Sequence, residues 1–391
     1  MKKTCITILA LLLCLTPMHC SAEEVKEETL TLDGLVYVRK TSDTDDFWLI
    51  TGCEGTPEDY QLYIPAEIGG VPVRAQEGSF RGFLSVKAFA ADPEHAQLCT
   101  VDGVLFSKDM TTLYRYPPLR EGAYVIPDGV TDAGYAFEDC IRLTTLTIPD
   151  SVAEEMHSFG NCRTLTEISG PLCISTGYSV RACSQLRNLH IAVPDTMGMQ
   201  KFTNLDCNGW EQLETIVIGE NCLMKEDFLI RACPALTSID CSQALAKGEG
   251  SDEANVLAEN CRSLTRVVLP PVEDPEKWAN FEMNQCGAVE TVKIYGGWWT
   301  SISGSPDAVV YGYQENSYLH SYCEVSGLEF VPFGDVNTDH ELSIADVLAL
   351  NKNLLAGSSL TASGREAADY DGDGTATPAD ALSILRAVVR L

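Results

Sequence analysis

The sequence predicts an α/β solenoid of short parallel strands with mostly irregular or short-helical returns, followed by a small all-α module. One observation is an apolar pattern that returns every 21 to 28 residues as far as residue 294. Such a period is typical of stacked coils. The other observation is a pair of acidic loops after residue 333, each leading directly into an apolar, helix-forming segment.

The first 22 residues have the layout of a secretory signal peptide. Lys2 and Lys3 precede an apolar run from Ile6 to Leu15, and small residues around Ala22 suit cleavage. The apolar run is too short to span a bilayer, and no later stretch predicts a membrane span. We therefore expect a secreted, soluble, extracellular protein.

The chain is strongly acidic, with 27 basic and 56 acidic residues. Without Lys2 and Lys3 the basic count is 25, so the balance of the mature chain is −31. A field of this sign repels phosphate backbones, which argues against nucleic-acid binding. It suits a protein that binds divalent cations.

A pattern of the form C-x-x-L-x-x-I-x-I recurs along the middle of the chain. Its apolar positions alternate at the end of each copy, as in a short strand, so strands of successive coils should lie side by side. An earlier, degenerate copy has Phe83 in the Cys place. The regular copies begin at Cys140, Cys162, Cys183, Trp210, Cys233, Cys261 and Cys286.

The repeated cysteines are predicted to form a column of buried thiols. Of 16 cysteines, 13 follow residue 22, and a free cysteine packs well as a small apolar residue. Zinc sites would need close C-x-x-C pairs, which the phased set lacks. A few disulfides between neighbouring coils remain an alternative.

The segment from Asp102 to Val152, with its cadence "IPDGV…AFEDC…LTTLTIPDSV", resembles the BspA-like leucine-rich repeats of bacterial surface and secreted proteins. The segment "YGYQENSYLHSYCEVSGLEFVPF" is similar to the closing unit of that family, with a short helix around Tyr318 to Tyr322. The resemblance implies that residues 23–332 form one leucine-rich-repeat solenoid.

Two loops near the C terminus place oxygen-bearing residues at offsets 1, 3, 5, 7, 9 and 12. Calcium takes six to eight oxygen ligands, and an EF-hand loop supplies them from these offsets, with a backbone carbonyl at position 7. The pattern therefore predicts two calcium ions. The predicted ligands are Asp335, Asn337, Asp339, Glu341, Ser343 and Asp346 in the first loop, and Asp369, Asp371, Asp373, Thr375, Thr377 and Asp380 in the second.

The two calcium sites are not equivalent in sequence. Position 6 needs a positive φ, which Gly374 adopts without strain, whereas the first loop has His340 there. The second loop also supplies four ligand carboxylates against three in the first. These differences predict tighter calcium binding at the second loop.

Each loop leads into an amphipathic helix, about residues 344–355 and 378–390, and equivalent positions differ by 34 residues. No helix of EF-hand character is predicted before either loop. Residues 333–391 thus resemble a type I dockerin, the module that attaches secreted proteins to cohesin modules of a scaffoldin in a cellulosome. The helices are expected to pack through Val347, Leu348, Leu350, Leu354 and Leu355, and through Leu382, Ile384, Leu385, Val388 and Val389.

The dockerin resemblance also implies which residues contact a cohesin. In that family the contacts come from loop positions 10 and 11 and from a basic residue about six positions later. The corresponding residues here are Ile344, Ala345 and Lys352 in one half, and Pro378, Ala379 and Arg386 in the other. Neither half has the hydroxyl pair that many relatives carry at positions 10 and 11, so the preferred cohesin does not follow from analogy.

No catalytic motif stands out in the repeat region. The sequence "SISGS" lacks the first glycine of a nucleophile elbow, and the histidines show no metal-binding spacing. Acidic pairs such as Glu154 and Glu155 are more typical of solvated faces in so acidic a chain. Glycosidase carboxylates are often far apart in sequence, so a hydrolase stays the main alternative.

A stacked repeat offers an extended binding surface instead. The segment around Trp298 and Trp299 is predicted to be a structural loop at the end of the solenoid, with a sugar-stacking platform formed by the two tryptophans as the alternative. The outward strand positions form two columns. These are Thr147, Ser169, His190, Val217, Asp240, Val268 and Lys293, and Thr145, Glu167, Asn188, Thr215, Ser238, Arg266 and Thr291.

The sequence is therefore interpreted as a non-catalytic accessory protein of a cellulosome. A calcium-dependent dockerin would bind a scaffoldin cohesin, and the solenoid would bind a protein or a plant-wall polysaccharide. A polysaccharide-active hydrolase and an adhesin are the competing interpretations.

Overall fold

The computed structural model describes residues 28–42, 44–76 and 78–389, so the predicted signal peptide (residues 1–22) lies outside the described residues. The predicted fold class is confirmed: stacked parallel strands form a solenoid, and a small helical module follows it. Within the described ranges, no helix combines the length and apolarity needed to cross a membrane.

The N-terminal part of the solenoid contains ten strands and several antiparallel pairs. Within the described residues, the antiparallel pairs of this part all join strands that are consecutive in the chain, and the tight turn at Asp102 and Gly103 has positive φ at both residues. Its core is a separate cluster that includes Phe80, Phe83 and Phe89. The strands are β1 Glu28–Leu32, β2 Leu35–Thr41, β3 Asp46–Cys53, β4 Gln61–Ile64, β5 Glu67–Ile68, β6 Val71–Arg74, β7 Ala88–Ala91, β8 Leu98–Val101, β9 Val104–Ser107 and β10 Leu113–Arg115.

The remaining strands build the regular solenoid, in which the strands of neighbouring coils pair in parallel. They are β11 Gly122–Val125, β12 Leu143–Thr147, β13 Glu167–Ser169, β14 Asn188–Ile191, β15 Gln200–Asp206, β16 Thr215–Ile218, β17 Cys222–Arg231, β18 Ser238–Asp240, β19 Leu245–Ala246, β20 Ala254–Glu259, β21 Arg266–Leu269, β22 Ala279–Asn284, β23 Thr291–Ile294, β24 Trp298–Ser303, β25 Val309–Gly312 and β26 Glu329–Pro332.

Two parallel sheets enclose the core of the second half of the solenoid. The repeat strands form a seven-stranded sheet in the order β14-β16-β18-β21-β23-β25-β26. The returns between them were predicted to be irregular or helical, but from residue 200 onward they form a second sheet, β15-β17-β20-β22-β24. The reason is strict alternation: in Ala254–Glu259 and Ala279–Asn284 every second side chain is buried.

The predicted thiol column is present. Each repeat cysteine is fully buried, and its Sγ donates to a backbone carbonyl of the preceding coil. The Sγ–O distances are 3.0 Å from Cys162 to Phe137, 3.5 Å from Cys183 to Phe159 and 2.8 Å from Cys233 to Cys207. A cysteine at this position therefore fills a small apolar space and also satisfies a carbonyl oxygen.

The end of the solenoid is covered by a helix, as the closing unit predicted. Helix α1 (Ser317–Ser326) begins after Asn316, whose side chain accepts a hydrogen bond from Leu319 N, and ends at Gly327 in a left-handed conformation. It buries Leu319 and Cys323 against the last coil.

The C-terminal module consists of three helices: α2 (Ile344–Ala356), α3 (Ala362–Ala368) and α4 (Pro378–Val389). Helices α2 and α4 are the two predicted ones. Helix α3 was not predicted, because its small residues give no apolar stripe, although Thr361 caps it by accepting a hydrogen bond from Gly364 N.

The predicted packing of the module is partly wrong. Val347, Leu350 and Ile384 form its core together with Val336, Ala368 and Ala381. Four residues predicted to pack inside point outward instead, because a helix of this length has room for a second apolar stripe. These are Leu348, Leu355, Leu382 and Val389, which are 48 to 87% exposed.

Thiol labelling tests the buried column. All thirteen cysteines of the described region are free, and only Cys53 and Cys99 are partly exposed. Burial also raises the pKa of Cys173 to about 11 and that of Cys222 to about 12, so both stay protonated at neutral pH. We expect maleimide to label at most two cysteines of the native protein rapidly, and all thirteen after denaturation. A Cys53→Ser/Cys99→Ser variant is the control, and rapid native labelling of that variant would contradict the column.

Candidate functional site: two acidic loops on the solenoid face

The first acidic loop is closed by its own carboxylates. Both oxygens of Asp335 accept backbone hydrogen bonds, from Asp339 N at 3.0 Å and from His340 N at 2.9 Å. Asp346 accepts from Asn337 N at 3.1 Å and from Ser343 N at 2.8 Å, and the latter bond completes a capping box at the start of α2. The loop and the helix therefore share one carboxylate.

The second loop repeats this arrangement. Asp380 accepts from Tyr370 N at 2.8 Å and from Thr377 N at 2.7 Å, and Asp369 accepts from Gly372 N at 3.1 Å. Position-12 residues Asp346 and Asp380 are fully buried in both halves. The 34-residue repeat in sequence is thus a repeat in structure.

The loops gather carboxylate oxygens at distances that suit a hard cation. Ligand atoms of Asp335, Asp339 and Asp346 lie within 4.8 Å of one another, and so do those of Asp369, Asp371 and Asp373. Calcium prefers such all-oxygen sets, so the residues fit the ion. The geometry brings together positions 1, 5 and 12 in the first loop, and positions 1, 3 and 5 in the second.

Of the remaining predicted ligands, Asp380 is fully buried and the others are exposed or partly exposed. Asn337 and Asp339 form a hydrogen bond at 2.8 Å, and Glu341 and Thr375 have exposed side chains, as expected where position 7 contributes its carbonyl. Ser343 and Thr377 each donate to the position-12 carboxylate and accept from the backbone N–H two residues later. Ligation by the twelve residues stays a prediction.

Backbone strain differs between the loops more than the sequence indicated. His340 has the expected positive φ of 63°, and Thr338 at position 4 is also positive, at 61°. The second loop has glycines at both places, Gly372 and Gly374. A non-glycine residue in this region costs about 1 kcal/mol, so strain is concentrated in the first loop.

The electrostatics of both loops favour a bound cation. Burial raises the pKa of Asp335 and that of Asp371 above their usual range. Burial also raises the pKa of Asp369, against the opposing charge of Lys293. Desolvated carboxylates close together repel one another, and a divalent cation offsets that repulsion.

The module is not held by a free linker. Strand β26 ends at Pro332 and the first loop begins at Asp335. Phe333 between them is fully buried and stacks on Tyr295, with ring centroids 4.4 Å apart. Tyr311, Val331 and Ala367 complete this interface cluster.

The module covers one end of the predicted binding surface. Strand register aligns Val268, Lys293, Tyr311 and Val331 on neighbouring strands. All four are at most 3% exposed. Val268 and Lys293 were expected to be outward and accessible, but the helical module lies over them. Arg266 also contacts the module, because its guanidinium forms an ion pair with Glu366 at 2.6 Å.

The structural loop expected at Trp298 and Trp299 is wrong, since both residues belong to a strand, and of the two residues of the alternative sugar-stacking platform only Trp299 is accessible. Trp298 is fully buried and donates to Pro270 O at 2.9 Å, since it occupies an inward position of β24. Trp299 points outward, is 42% exposed, and stacks on Trp278 with Tyr318 edge-on. It borders a groove of about 460 Å³ whose polar lining includes Asn255, Asn280, Glu282 and Ser301.

The predicted cohesin-contact residues all lie at the exposed surface of the module. Ile344, Ala345 and Lys352 are exposed on α2, and Pro378, Ala379 and Arg386 are exposed on α4. Leu348 and Leu382 lie one turn from them and are 55% and 48% exposed. Sequence reasoning assigned these two leucines to the core, although the 34-residue repeat pairs them.

Comparison with known proteins gives one family match. Residues 333–388 match the model described as Dockerin type I domain, so the chain carries this domain at its C-terminal end. No curated protein matches the chain.

Three solved structures are similar to this chain. The pneumococcal vaccine antigen PcpA is 16% identical, with a TM-score of 0.33, over 70% of this chain and 55% of that one. A leucine-rich repeat protein from Eubacterium ventriosum is 16% identical, with a TM-score of 0.24, over 60% and 50%. Another from Bacteroides ovatus is 13% identical, with a TM-score of 0.27, over 77% and 99%. The match spans about half the length of the first two.

Two isosteric substitutions should separate the cap from the cation site. Asp346→Asn removes one of two acceptors at the start of α2, so the free energy of unfolding in excess chelator should fall by about 1 kcal/mol or more. Asp339→Asn keeps an acceptor on an exposed residue and should leave that value unchanged. Chemical denaturation followed by helical circular dichroism measures both. Equal destabilisation by the two variants would contradict the shared role of Asp346.

The raised pKa values also set a pH dependence. In chelator, the folded module holds protons on Asp335 and Asp369 at pH values where the unfolded chain, with its ordinary pKa of 3.8, has lost them. The destabilisation is therefore present above the raised values and is relieved as the pH falls through them. We expect the melting temperature of the helical signal to rise in chelator from neutral to mildly acidic pH. In saturating calcium the melting temperature should instead fall as the pH is lowered over the same range, because protons compete with calcium for the carboxylates.

Proposed function

We propose that this protein is a secreted, non-catalytic accessory component of a cellulosome. Its dockerin binds a cohesin module of a scaffoldin in a calcium-dependent manner, and its solenoid binds a protein or polysaccharide ligand. The observation that carries the proposal is the dockerin match at residues 333–388 together with the exposed faces of α2 and α4.

The calcium-dependent step follows from the loop chemistry. Residues of the two loops would hold the ions through carboxylate, amide, hydroxyl and carbonyl oxygens, and calcium would supply the positive charge that offsets their repulsion. Asp346 and Asp380 link each loop to the first turn of its helix. Ordering of the loops therefore orders the helices that carry the cohesin-contact residues.

The contact face itself combines exposed apolar side chains with a basic rim. Ile344, Leu348 and Lys352 on α2 have Pro378, Leu382 and Arg386 as counterparts on α4. Apolar residues surrounded by polar ones are typical of protein interfaces. The solenoid packs against α3 and the second loop, which leaves this face accessible.

The solenoid contributes a binding surface in this proposal. The groove beside Trp299 offers an indole ring and a row of amide and carboxyl groups, the chemistry that suits a sugar chain or a polar peptide. Glu155, one member of an acidic pair, accepts hydrogen bonds from Ser175 N and Oγ, which supports a structural role for it. Release of reducing sugar from plant-wall polysaccharide by the full chain would favour the hydrolase alternative.

Cohesin binding tests the proposal directly. With a panel of cohesins and saturating calcium, isothermal titration should give measurable affinity for at least one, and excess chelator should abolish it. A Leu348→Ala/Leu382→Ala variant should lose about tenfold or more in affinity, because outward leucines at the centre of a contact face are typical anchors. Val325→Ala is the matched control, since Val325 is 88% exposed on the capping helix of the solenoid. Full affinity in chelator, or equal affinity of the two variants, would contradict the proposed interface.

A further inference from the structure

The second acidic loop rests on the solenoid. Tyr295 Oη donates to the backbone oxygen of Asp369 at 3.2 Å, and Gln243 Nε2 donates to Gly372 O at 3.1 Å. Tyr313 Oη likewise donates to Tyr370 O at 3.2 Å. A Cβ on Gly372 would lie 3.0 Å from the Tyr295 ring, so only glycine allows this approach. Three solenoid side chains thus hold the backbone of one calcium loop.

A buried cation accompanies these contacts. Lys293 lies in the middle of β23 and is 2% exposed. Its Nζ is 3.1 Å from Glu366 Oε2 and 3.6 Å from Asp369 Oδ2. Asp369 is position 1 of the second loop, whereas Glu366 lies outside the loop in α3. The lysine therefore already neutralises part of the charge that a calcium ion would meet.

We propose that Lys293 lowers the calcium affinity of the second loop, so the solenoid sets the relative affinity of the two calcium sites. The inference rests on the proposed calcium binding. A fixed positive charge beside the position-1 carboxylate repels a divalent cation, and the repulsion is strong because the interface excludes water. Lys293 does not escape to solvent, since its side chain is 3% exposed and enclosed by Val268 and Tyr311 on neighbouring strands.

The charge of Lys293 acts against the tighter binding at the second loop that its ligand count predicts. The second loop has one more carboxylate than the first, but Lys293 offsets that extra charge. Glu366 moderates the effect, because it shares the lysine and also pairs with Arg266 at 2.6 Å. By linkage, calcium in the second loop weakens the ion pair between Lys293 and Asp369 to the same degree that Lys293 weakens calcium binding.

Two substitutions with opposite expected signs test the role of Lys293. Lys293→Met removes the charge at similar volume and should tighten calcium binding at the second loop by about tenfold or more. Glu366→Gln removes the carboxylate that competes with Asp369 for Lys293. The full charge of Lys293 then acts on Asp369, so calcium binding at the second loop should weaken several-fold. Neither residue is a predicted ligand. Lys201→Met is the control for charge alone, because Lys201 is exposed on β15 in the other sheet and should leave the affinity unchanged.

The measurement is isothermal calcium titration of the chain from residue 23, with all variants also made on an Asp339→Asn background that weakens the first loop. Helical circular dichroism of each variant checks that the module is folded. If both substitutions acted only by breaking the contact between the module and the solenoid, the calcium affinities of Lys293→Met and Glu366→Gln would change in the same direction. Affinity changes of opposite sign therefore support the inference. Shifts in one direction, or no shift, overturn it. Failure of the unsubstituted chain to bind calcium would instead overturn the proposed function.

Discussion

Stacking is the constraint on which the structure depends, because a single coil has only its neighbours to bury its apolar side. Each regular coil contributes a leucine or valine and two strand residues to one continuous core, and where the coil has a cysteine, its Sγ donates to a carbonyl of the coil before it. Such an array requires closure where the repeats end. Helix α1 closes the end of the core, and the dockerin covers the outer side of the last strands.

The covering of that outer side is unusual in its chemistry. The interface places Lys293 and Arg266 of the solenoid against Glu366 and Asp369 of the module, with aromatic rings from both sides around them. Paired charges of this kind compensate one another's desolvation, but leave little net stabilisation. Stacked Tyr295 and Phe333 and the buried Val268 and Val331 contribute the apolar part. The module is consequently held on the solenoid through α3 and the second loop, while the predicted cohesin-contact residues of α2 and α4 are exposed.

Sequence patterns predicted the features that depend on short separations along the chain. The C-x-x-L-x-x-I-x-I repeat indicated the inward residues, and the loop offsets indicated which oxygens would converge. Prediction was weaker where one apolar sequence pattern is compatible with two choices of which side chains face the core. Both Trp298 and Trp299 suit a strand, and only the pairing of β24 with β22 decides which is inward. Leu348 suited either stripe of its helix, and helix α3 was missed because Ala, Ser and Gly residues carry little periodic signal.

The sequence by itself determined the repeated coils, the buried thiols and the two acidic loops with their helices, because each arises from spacings of a few residues and from local backbone preferences. The tertiary structure alone decided that the second loop lies on the solenoid. The contacts that place it there join residues 57 to 129 positions apart, such as Tyr313 with Tyr370, Tyr295 with Asp369 and Gln243 with Gly372. No sequence periodicity links such positions. They come into contact only after the coils have stacked, because stacking fixes where each side chain lies along the sheet.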